Sequence, residues 1–232
     1  MECKKIMNDQ LIFNFPTSKI YLKEDFYITE SNSEVFNYLD SWPKWSKNII
    51  NIFGPHGSGK SHLASIFNKK VSSIMLDCNK LTNNIFIELK SRQALIIENL
   101  RKDVPEELLY SIFNTINQEN KYLVITSLNA INSYDFTLPD LSSRIKSVLG
   151  FEIKLPDDNL IFVILLKSFS DRQIKVEKKI IEYIIKRIDR SYESISKFVS
   201  LLDKNSLAKG KSFNYKIIDE TLKKVKGRKK SE

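Results

Sequence analysis

The sequence is poor in cysteine, glycine, proline and alanine, and it contains no long apolar run. Two cysteines in 232 residues do not suffice for a disulfide framework, and no CxxC or HxxxH pair points to a metal centre. No apolar run reaches the roughly 18 residues that a membrane-spanning helix needs. The first ten residues also lack the apolar core of a signal peptide. We therefore expect a cytoplasmic protein with no membrane partner.

Lysine dominates the charge of the chain. The sequence has 37 basic and 28 acidic residues, a formal net charge of +9, and 30 of the basic residues are lysine. Isoleucine and asparagine are also abundant, which is typical of an AT-rich genome and argues against selection for a basic surface. Six cations lie between Lys223 and Lys230. Two interpretations stay open for this basic tail: a weak nucleic-acid contact through counterion release, or a solvated terminus.

Short apolar runs alternate with amphipathic segments from residue 48 onward, which predicts an α/β fold with a parallel sheet covered on both faces. The predicted strands are 48–53, 73–77, 94–98, 122–126 and 150–155, and the predicted helices between or before them are 33–40, 60–70, 83–90 and 105–119. Beyond residue 156 only helical patterns occur, at 157–168, 176–187, 194–205 and 214–225. We therefore expect four regions: an N-terminal arm (1–20), an α/β nucleotide-binding domain (21–155), a small all-helical domain (156–225) and a basic tail (226–232).

A glycine-rich loop lies between the first predicted strand and the helix that follows it. Its residues are Gly54, Pro55, His56, Gly57, Ser58, Gly59, Lys60 and Ser61, followed by His62. They fit the pattern G-x-x-x-x-G-K-[ST], whose glycines let backbone N–H groups surround a phosphate. Lys60 would reach the outer phosphates and Ser61 would bind Mg²⁺. We expect this segment to bind a nucleotide, with His56 as a surface residue of the loop and not a catalytic base.

Two further strand ends carry polar side chains. Glu98 follows a wholly apolar run and is predicted as the second Mg²⁺ ligand, acting through water. Asn99 stands where a catalytic carboxylate often lies in such sites, and an amide is no base, so we expect poor activation of water. Thr126 ends the next strand and is either a sensor of the γ-phosphate or a plain strand-end threonine.

The order of these parts resembles a known family. The segment Asp140-Leu141-Ser142-Ser143-Arg144 follows the polar strand end, and 151–157 then leads into the helices. This arrangement resembles the AAA+ domain of the bacterial replication initiator DnaA, and more closely the short Hda-type regulators of initiator inactivation, over roughly residues 9–225. The resemblance implies an AAA+ P-loop NTPase domain followed by a helical lid, with ADP or ATP and Mg²⁺ as ligands. The 232 residues leave no room after that lid for a helix-turn-helix domain, so we expect the regulator and not the initiator.

The resemblance also implies roles for single residues. Arg144 would be an arginine finger that acts in trans on a neighbouring subunit's ATP, with a plain surface arginine as the alternative. Tyr27 and Ile28 would contact the adenine. The second sensor position matches Glu193, a departure from the family's arginine, and Arg190 one turn earlier is the alternative occupant. Together with Asn99, this departure implies at most a weak ATPase and favours a role as activator of a partner's ATPase.

The N-terminal arm contains a second resemblance. The residues Gln10, Leu11, Phe13 and Phe15 are similar to the Q-L-x-L-x-[LF] peptide that docks on the DNA polymerase sliding clamp. The three apolar side chains would enter a groove while Gln10 bonds to its rim. The alternative is an N-terminal edge strand.

We therefore expect a regulator of replication initiation whose partners are the sliding clamp and DnaA. The alternatives are a DnaC-like helicase loader or another DNA-acting AAA+ ATPase, and an independent small NTPase or kinase. A homo-oligomer also stays open.

Overall fold

A five-stranded parallel sheet forms the centre of the chain. The computed structural model describes residues 26–171, 176–209 and 215–227, without the side chains of 203–209 and 227. The strands are β1 (Ile49–Phe53), β2 (Ser73–Asp77), β3 (Ala94–Leu100), β4 (Tyr122–Ser127) and β5 (Leu149–Glu152). Their order across the sheet is β2-β3-β4-β1-β5, and every neighbouring pair is parallel. The predicted α/β class is confirmed.

Nine α-helices accompany the sheet within the described residues. Those of the sheet domain are α1 (Ser33–Asp40), α2 (Lys60–Lys70), α3 (Ile85–Leu89), α4 (Glu106–Gln118) and α5 (Pro139–Ile145). The later ones are α6 (Asp158–Ser170), α7 (Lys178–Ile185), α8 (Tyr192–Lys209) and α9 (Tyr215–Gly227). In this part of the chain, none of them combines the length and the apolar character needed to cross a bilayer.

Both faces of the sheet are buried. Leu95 and Ile97 of β3 belong to one apolar cluster, whereas Ala94 and Ile96 belong to the other. Successive side chains of a strand point to opposite faces, so a strand covered on both sides is a continuous apolar run. This is why the sequence pattern located β3, although the strand continues to Leu100, two residues beyond its predicted end.

The last predicted strand is shorter than expected. Residues 150–155 were predicted, and β5 ends at Glu152. The N–H of Ile153 still bonds to the carbonyl of Phe53, but the N–H of Lys154 bonds to the carbonyl of Ser31 at 3.2 Å. The chain therefore leaves the sheet and meets the segment that precedes α1.

The helices after Pro156 have a core of their own. Buried apolar residues between Ile161 and Val225 form one cluster, which includes Phe169, Ile184 and Phe198. The two sheet clusters share none of these residues. We refer to this helical part as the lid.

A buried polar residue organises the turn that follows β4. The Nδ2 of Asn51 donates to the Ser127 hydroxyl at 2.8 Å and to the Ile125 carbonyl at 3.2 Å, while its Oδ1 accepts from the N–H of Ile131 at 2.8 Å. Buried polar groups need such partners. Asn51 thereby positions the turn beside the carboxyl ends of the strands, where ligands bind in open α/β sheets.

Candidate functional site

The glycine-rich loop between β1 and α2 encloses the ammonium group of Lys60. The Nζ atom donates to the carbonyls of Gly54 and Pro55, both at 2.8 Å, and lies 3.4 Å from the Ser58 hydroxyl. Lys60 is buried, and this burial lowers the pKa of its ammonium group. A buried cation held by loop carbonyls marks a place where an anion would be attracted.

Two glycines of the loop are required by both conformation and space. Gly57 and Gly59 have φ angles of 76° and 92°, in the left-handed region that favours glycine. A Cβ on Gly57 would lie 3.2 Å from the Cβ of Tyr192, and one on Gly59 would lie 3.1 Å from Cε2 of Phe26. The loop is thus packed between the segment before α1 and the lid.

The other predicted loop residues lie around this turn. Ser58 is buried, whereas His56 is exposed, as expected of a surface residue of the loop. Ser61 occupies the first turn of α2. The ring of His62 packs edge-on against Phe26, with 5.2 Å between the ring centroids, so His62 supports the wall of the site.

Glu98 lies near the end of β3, at the same edge of the sheet as the loop. Its Oε1 atom is buried and has no hydrogen-bond partner within the described residues. An unpartnered buried carboxylate oxygen is costly unless a ligand or water satisfies it. Ser61 and Glu98 supply the hydroxyl and carboxylate oxygens that suit Mg²⁺, so the donor set fits the predicted ion. No cluster of three or more His, Cys, Asp or Glu side chains forms a further metal site in the residues that the structure describes.

Asn99 has a left-handed backbone, with φ of 55°. Its N–H donates to Oγ1 of Thr126 at 3.0 Å, and its side-chain Nδ2 donates to Oδ2 of Asp77 at 2.8 Å. The second bond, together with the N–H of Asn79, lowers the pKa of Asp77. Thr126 is fully buried, and its hydroxyl oxygen accepts the bond that holds the backbone of Asn99. As a sensor of the γ-phosphate, Thr126 would have to keep this bond.

Two cavities flank the loop. The larger, of about 630 Å³, is lined by Pro55 and His56 of the loop and also by Glu152 and Glu193. The smaller, of about 130 Å³, lies over Gly57 and Gly59 and has mostly apolar walls. Its walls include Tyr27, Leu160, Val163 and Ile164. The cavity over the loop, with its mostly apolar walls, suits a flat base, whereas Glu152 and Glu193 place carboxylates at the larger cavity.

The remaining predicted contacts lie where the segment before α1 and the helices after Pro156 border on the site. Tyr27 and Ile28 are 54% and 46% exposed, and both line a third cavity together with Arg190. The guanidinium of Arg190 bonds to Asp158 at 2.9 Å, whereas Glu193 bonds to Lys197 at 2.5 Å. Of these two candidates for the second sensor position, Glu193 lines the cavity beside the loop, whereas Arg190 lies beside Tyr27 and Ile28, the pair that was predicted to contact adenine.

Tyr192 is a site residue that sequence reasoning missed. It is the first residue of α8, it lines both cavities beside the loop, and its hydroxyl donates to the carbonyl of Lys154 at 3.2 Å. Burial raises the pKa of its phenol. Tyr192 thus connects the lid to the loop and to the end of the sheet domain. The one signal in the sequence that could have identified Tyr192 was its position directly before Glu193, the match to the second sensor position.

Arg144 lies in α5 and lines none of the three cavities near the loop. Its guanidinium carbon is 5.4 Å from the centroid of the Tyr110 ring. One turn earlier in α4, the carboxylate of Glu106 accepts from the N–H groups of Thr137 and Leu138, at 2.9 and 2.7 Å, which lowers the pKa of Glu106. Helix α4 therefore holds both the start of α5 and its arginine.

The predicted clamp peptide, with Gln10, Leu11, Phe13 and Phe15, lies outside the described residues, as does the tail from Arg228 onward. The loop, Glu98, Thr126 and Tyr27 gather at one edge of the sheet. Arg144 is not part of that group.

Comparison with known proteins shows a fold like that of DnaA domain III. No family model matches the chain. Domain III of DnaA from Thermotoga maritima superimposes with a TM-score of 0.71 at 18% identity, covering 88% of this chain and 96% of that one. AMPPCP-bound DnaA from Aquifex aeolicus gives a TM-score of 0.64 at 20% identity, covering 81% of this chain and 66% of that one.

Sequence similarity to curated proteins is weak. An uncharacterized protein of Haemophilus influenzae is 24% identical over 202 residues, covering 79% of this chain and 87% of that protein. DnaA of Borrelia turicatae is 22% identical over 233 residues, covering 89% of this chain and 48% of that protein. The chain thus spans about half the length of the DnaA proteins that it matches.

Proposed function

We propose that this chain binds ADP or ATP with Mg²⁺ and regulates the initiation of chromosomal replication, as an Hda-type relative of DnaA. In this role it docks on the DNA polymerase sliding clamp and promotes hydrolysis of ATP that DnaA holds. The observation that carries the nucleotide part is the buried Lys60 ammonium, held by the carbonyls of Gly54 and Pro55 within the loop.

The surroundings of the loop support an adenine nucleotide. The apolar cavity that includes Tyr27 lies over Gly57 and Gly59, where a base attached to the bound phosphates would be accommodated. DnaA from Aquifex aeolicus, with a similar fold, binds the ATP analogue AMPPCP. Ser61 and Glu98 would hold Mg²⁺, which supplies positive charge to the phosphate oxygens when it is bound.

The chain's own hydrolysis should be weak. Asn99 has no carboxylate with which to accept a proton from water, and its amide is held by Asp77. Glu152 and Glu193 also place negative charge in the cavity beside the loop, which disfavours the extra charge of a γ-phosphate.

Arg144 supports the activating role. Its cation lies on the ring of Tyr110 and away from the chain's own cavities, which suits an arginine that serves another subunit's nucleotide. An arginine finger stabilises charge that develops on the γ-phosphate. The partner subunit is DnaA in this proposal, and a second copy of this chain is the alternative.

Release of phosphate from DnaA-bound ATP tests the proposal. We would measure it with the clamp loaded on DNA, comparing the natural chain with Arg144→Ala and with Arg92→Ala, which changes an exposed arginine in the loop before β3. Stimulation that only Arg144→Ala removes, by roughly 1000-fold, is expected. No stimulation by the natural chain, or equal loss in both variants, would contradict the activating role.

Clamp docking has a separate test. Binding of the chain to the purified clamp should be micromolar and should be lost in the Gln10→Ala/Phe13→Ala/Phe15→Ala variant. Intact binding in that variant would leave the peptide as a plain N-terminal segment.

A further inference from the structure

The last helices of the chain concentrate positive charge. Residues 176–209 and 215–227 contain twelve basic and seven acidic side chains, whereas residues 26–171 contain 15 basic and 16 acidic ones. In the part of the chain that the structure describes, the net positive charge therefore belongs to the residues from 176 onward, which include α7, α8 and α9, and not to residues 26–171. Such an asymmetry indicates where a polyanion would be attracted.

Three side chains form a compact group on this basic surface, which we call the tyrosine–arginine cluster: Tyr183 of α7, Arg187 of the turn that follows α7, and Tyr215 of α9. The guanidinium carbon of Arg187 lies 3.6 Å from the centroid of the Tyr183 ring, and its Nη1 donates to the Tyr183 carbonyl at 3.3 Å. The ring of Tyr215 packs edge-on against Tyr183, with 4.9 Å between centroids and 73° between planes. Arg187 is exposed and Tyr215 is 48% exposed, so both present a flat surface to solvent.

An acidic residue holds the cluster together without neutralising its arginine. The hydroxyl of Tyr183 donates to both carboxylate oxygens of Asp219, at 2.9 and 3.1 Å, which raises the pKa of Tyr183. This contact joins α7 to α9. Within the described ranges, no carboxylate lies within ion-pairing distance of Arg187. The guanidinium is thus ordered by Tyr183 while its charge stays available.

Lysines extend the cluster along both helices. Lys179 lies four residues before Tyr183 on α7, and Lys223 lies four residues after Asp219 on α9. Residues four apart share one face of a helix, and the contact between Tyr183 and Asp219 brings the two faces together. Lys179 and Lys223 therefore lie about one helical turn from Tyr183 and Asp219, on the helix faces that this contact joins.

We propose that this surface binds single-stranded nucleic acid. Unstacked bases pack on tyrosine rings and on guanidinium planes, while lysines neutralise the phosphates beside them. In a duplex the faces of the bases are stacked on one another, and an acidic protein surface has no bases. Either ligand would therefore contact the lysines but not the flat tyrosine and arginine groups. Arg187 is held in place before binding, which reduces the entropy that a flexible side chain loses. The inference is independent of the nucleotide site and of the proposed regulatory role.

Fluorescence anisotropy with a labelled single strand tests the proposal. The probe is a mixed-sequence DNA of about 20 nucleotides, long enough to cover a site of this kind, titrated at several salt concentrations. The full chain is used with Arg228, Lys229 and Lys230 replaced by Gln, so that the tail does not mask the cluster. Tyr215→Leu should weaken binding about tenfold, whereas Tyr215→Phe, which keeps the ring, should bind like the parent.

A second pair of variants separates stacking from charge. Arg187→Lys keeps the charge and removes the flat group, so it should weaken binding several-fold without changing the salt dependence. Lys44→Gln/Lys47→Gln removes two exposed cations from the sheet domain and should have little effect. RNA of the same sequence shows whether ribose or deoxyribose is preferred. A preference for either the single-stranded RNA or the single-stranded DNA supports the proposal.

The proposal would be overturned by no binding at low salt, by a loss in the Lys44→Gln/Lys47→Gln variant equal to that in Tyr215→Leu, or by unchanged affinity in Tyr215→Leu. Affinity for a duplex that equals that for the single strand, or full competition by poly-glutamate at equal charge, would also overturn it, because both ligands lack accessible bases. Thermal melting of each variant confirms that the comparison is made between folded proteins.

Discussion

The glycine-rich loop and the tyrosine–arginine cluster are both proposed to bind anionic ligands, but the two sites are built differently. The loop depends on backbone: Gly57 and Gly59 in left-handed conformations and one buried cation, Lys60. The cluster depends on exposed side chains, Arg187 and Tyr215, supported by helices with a core of their own.

This difference teaches how each region should respond to substitution. The backbone angles of neighbouring residues in a tight turn depend on one another, so a Cβ that clashes at one residue displaces the whole loop. An exposed side chain can be replaced without moving the backbone, so each variant should remove its own contacts, with coupling between Arg187 and Tyr215 through their shared partner Tyr183. We expect all-or-none effects at the loop and graded effects at the lid surface, provided that the two cores are separate.

The separation of the cores carries the largest expected effect. Phe198 is fully buried in the lid core, and Phe198→Ala should destabilise the lid by about 3–5 kcal/mol. Urea unfolding followed by circular dichroism should shift, while the fluorescence of Trp42 and Trp45, both in the sheet domain, should shift much less. Ser196→Ala, at an exposed position of α8, is the control. Equal shifts in both signals would show one cooperative unit.

Gly54→Ala tests the all-or-none behaviour of the loop. Its Cβ would lie 2.6 Å from the carbonyl oxygen of Ile153, so the turn must move, at a cost of about 1–3 kcal/mol. We expect ADP binding to disappear in calorimetry. Gly150→Ala in β5, whose Cβ would meet only Cε1 of Phe53 at 3.3 Å, should retain it. Normal affinity in Gly54→Ala would show that the loop adapts.

The pair Asn99 and Asp77 tests whether a side-chain contact at the same edge has a graded effect. Asn99→Asp replaces a hydrogen bond by two like charges and should cost about 1 kcal/mol of unfolding free energy. Asp77→Asn/Asn99→Asp restores the bond with donor and acceptor exchanged. We expect thermal melting to recover most of the loss in the double variant. No recovery would mean that Asn99 acts through its backbone alone.

The smallest effect concerns acid stability at Glu106. Bonds from Thr137 and Leu138 lower the pKa of its carboxyl group, so the folded state binds the proton less readily than the unfolded state. The stabilisation is therefore complete above the ordinary glutamate pKa of about 4.3 and is lost as the pH falls through the lower folded-state pKa. Glu106→Gln should reduce this loss in melting curves taken against pH. An unchanged profile would show that the turn before α5 is held by other contacts.

The sequence predicted those elements whose cause is local. The helix Lys60–Lys70 and the strand Ser73–Asp77 were located with the observed bounds, because glycine spacing and short apolar runs act within a few residues. Helix α5 was missed, since its seven residues carry a short pattern that tertiary packing of Leu141 and Ile145 completes. The predicted helix 176–187 is observed as Lys178–Ile185, because boundaries depend on caps more than on apolar spacing.

The candidate site divides in the same way. The loop and Glu98 were read from the residues themselves, since phosphate and Mg²⁺ binding need particular residue types at particular spacings. Tyr192 was not predicted from the sequence, because it lies 135 positions beyond Gly57 in the chain. The bond between Asn99 and Asp77 was not predicted either.

The amino-acid sequence by itself thus determined the α/β class, the glycine-rich turn before α2 and the helices beyond residue 156, because apolar periodicity and glycine placement are local properties. Only the tertiary structure decided the strand order, the contact of Tyr192 with the loop and the meeting of Tyr183 with Asp219. These features join residues that are distant in sequence. Their geometry follows from how whole elements pack, and no short segment contains that information.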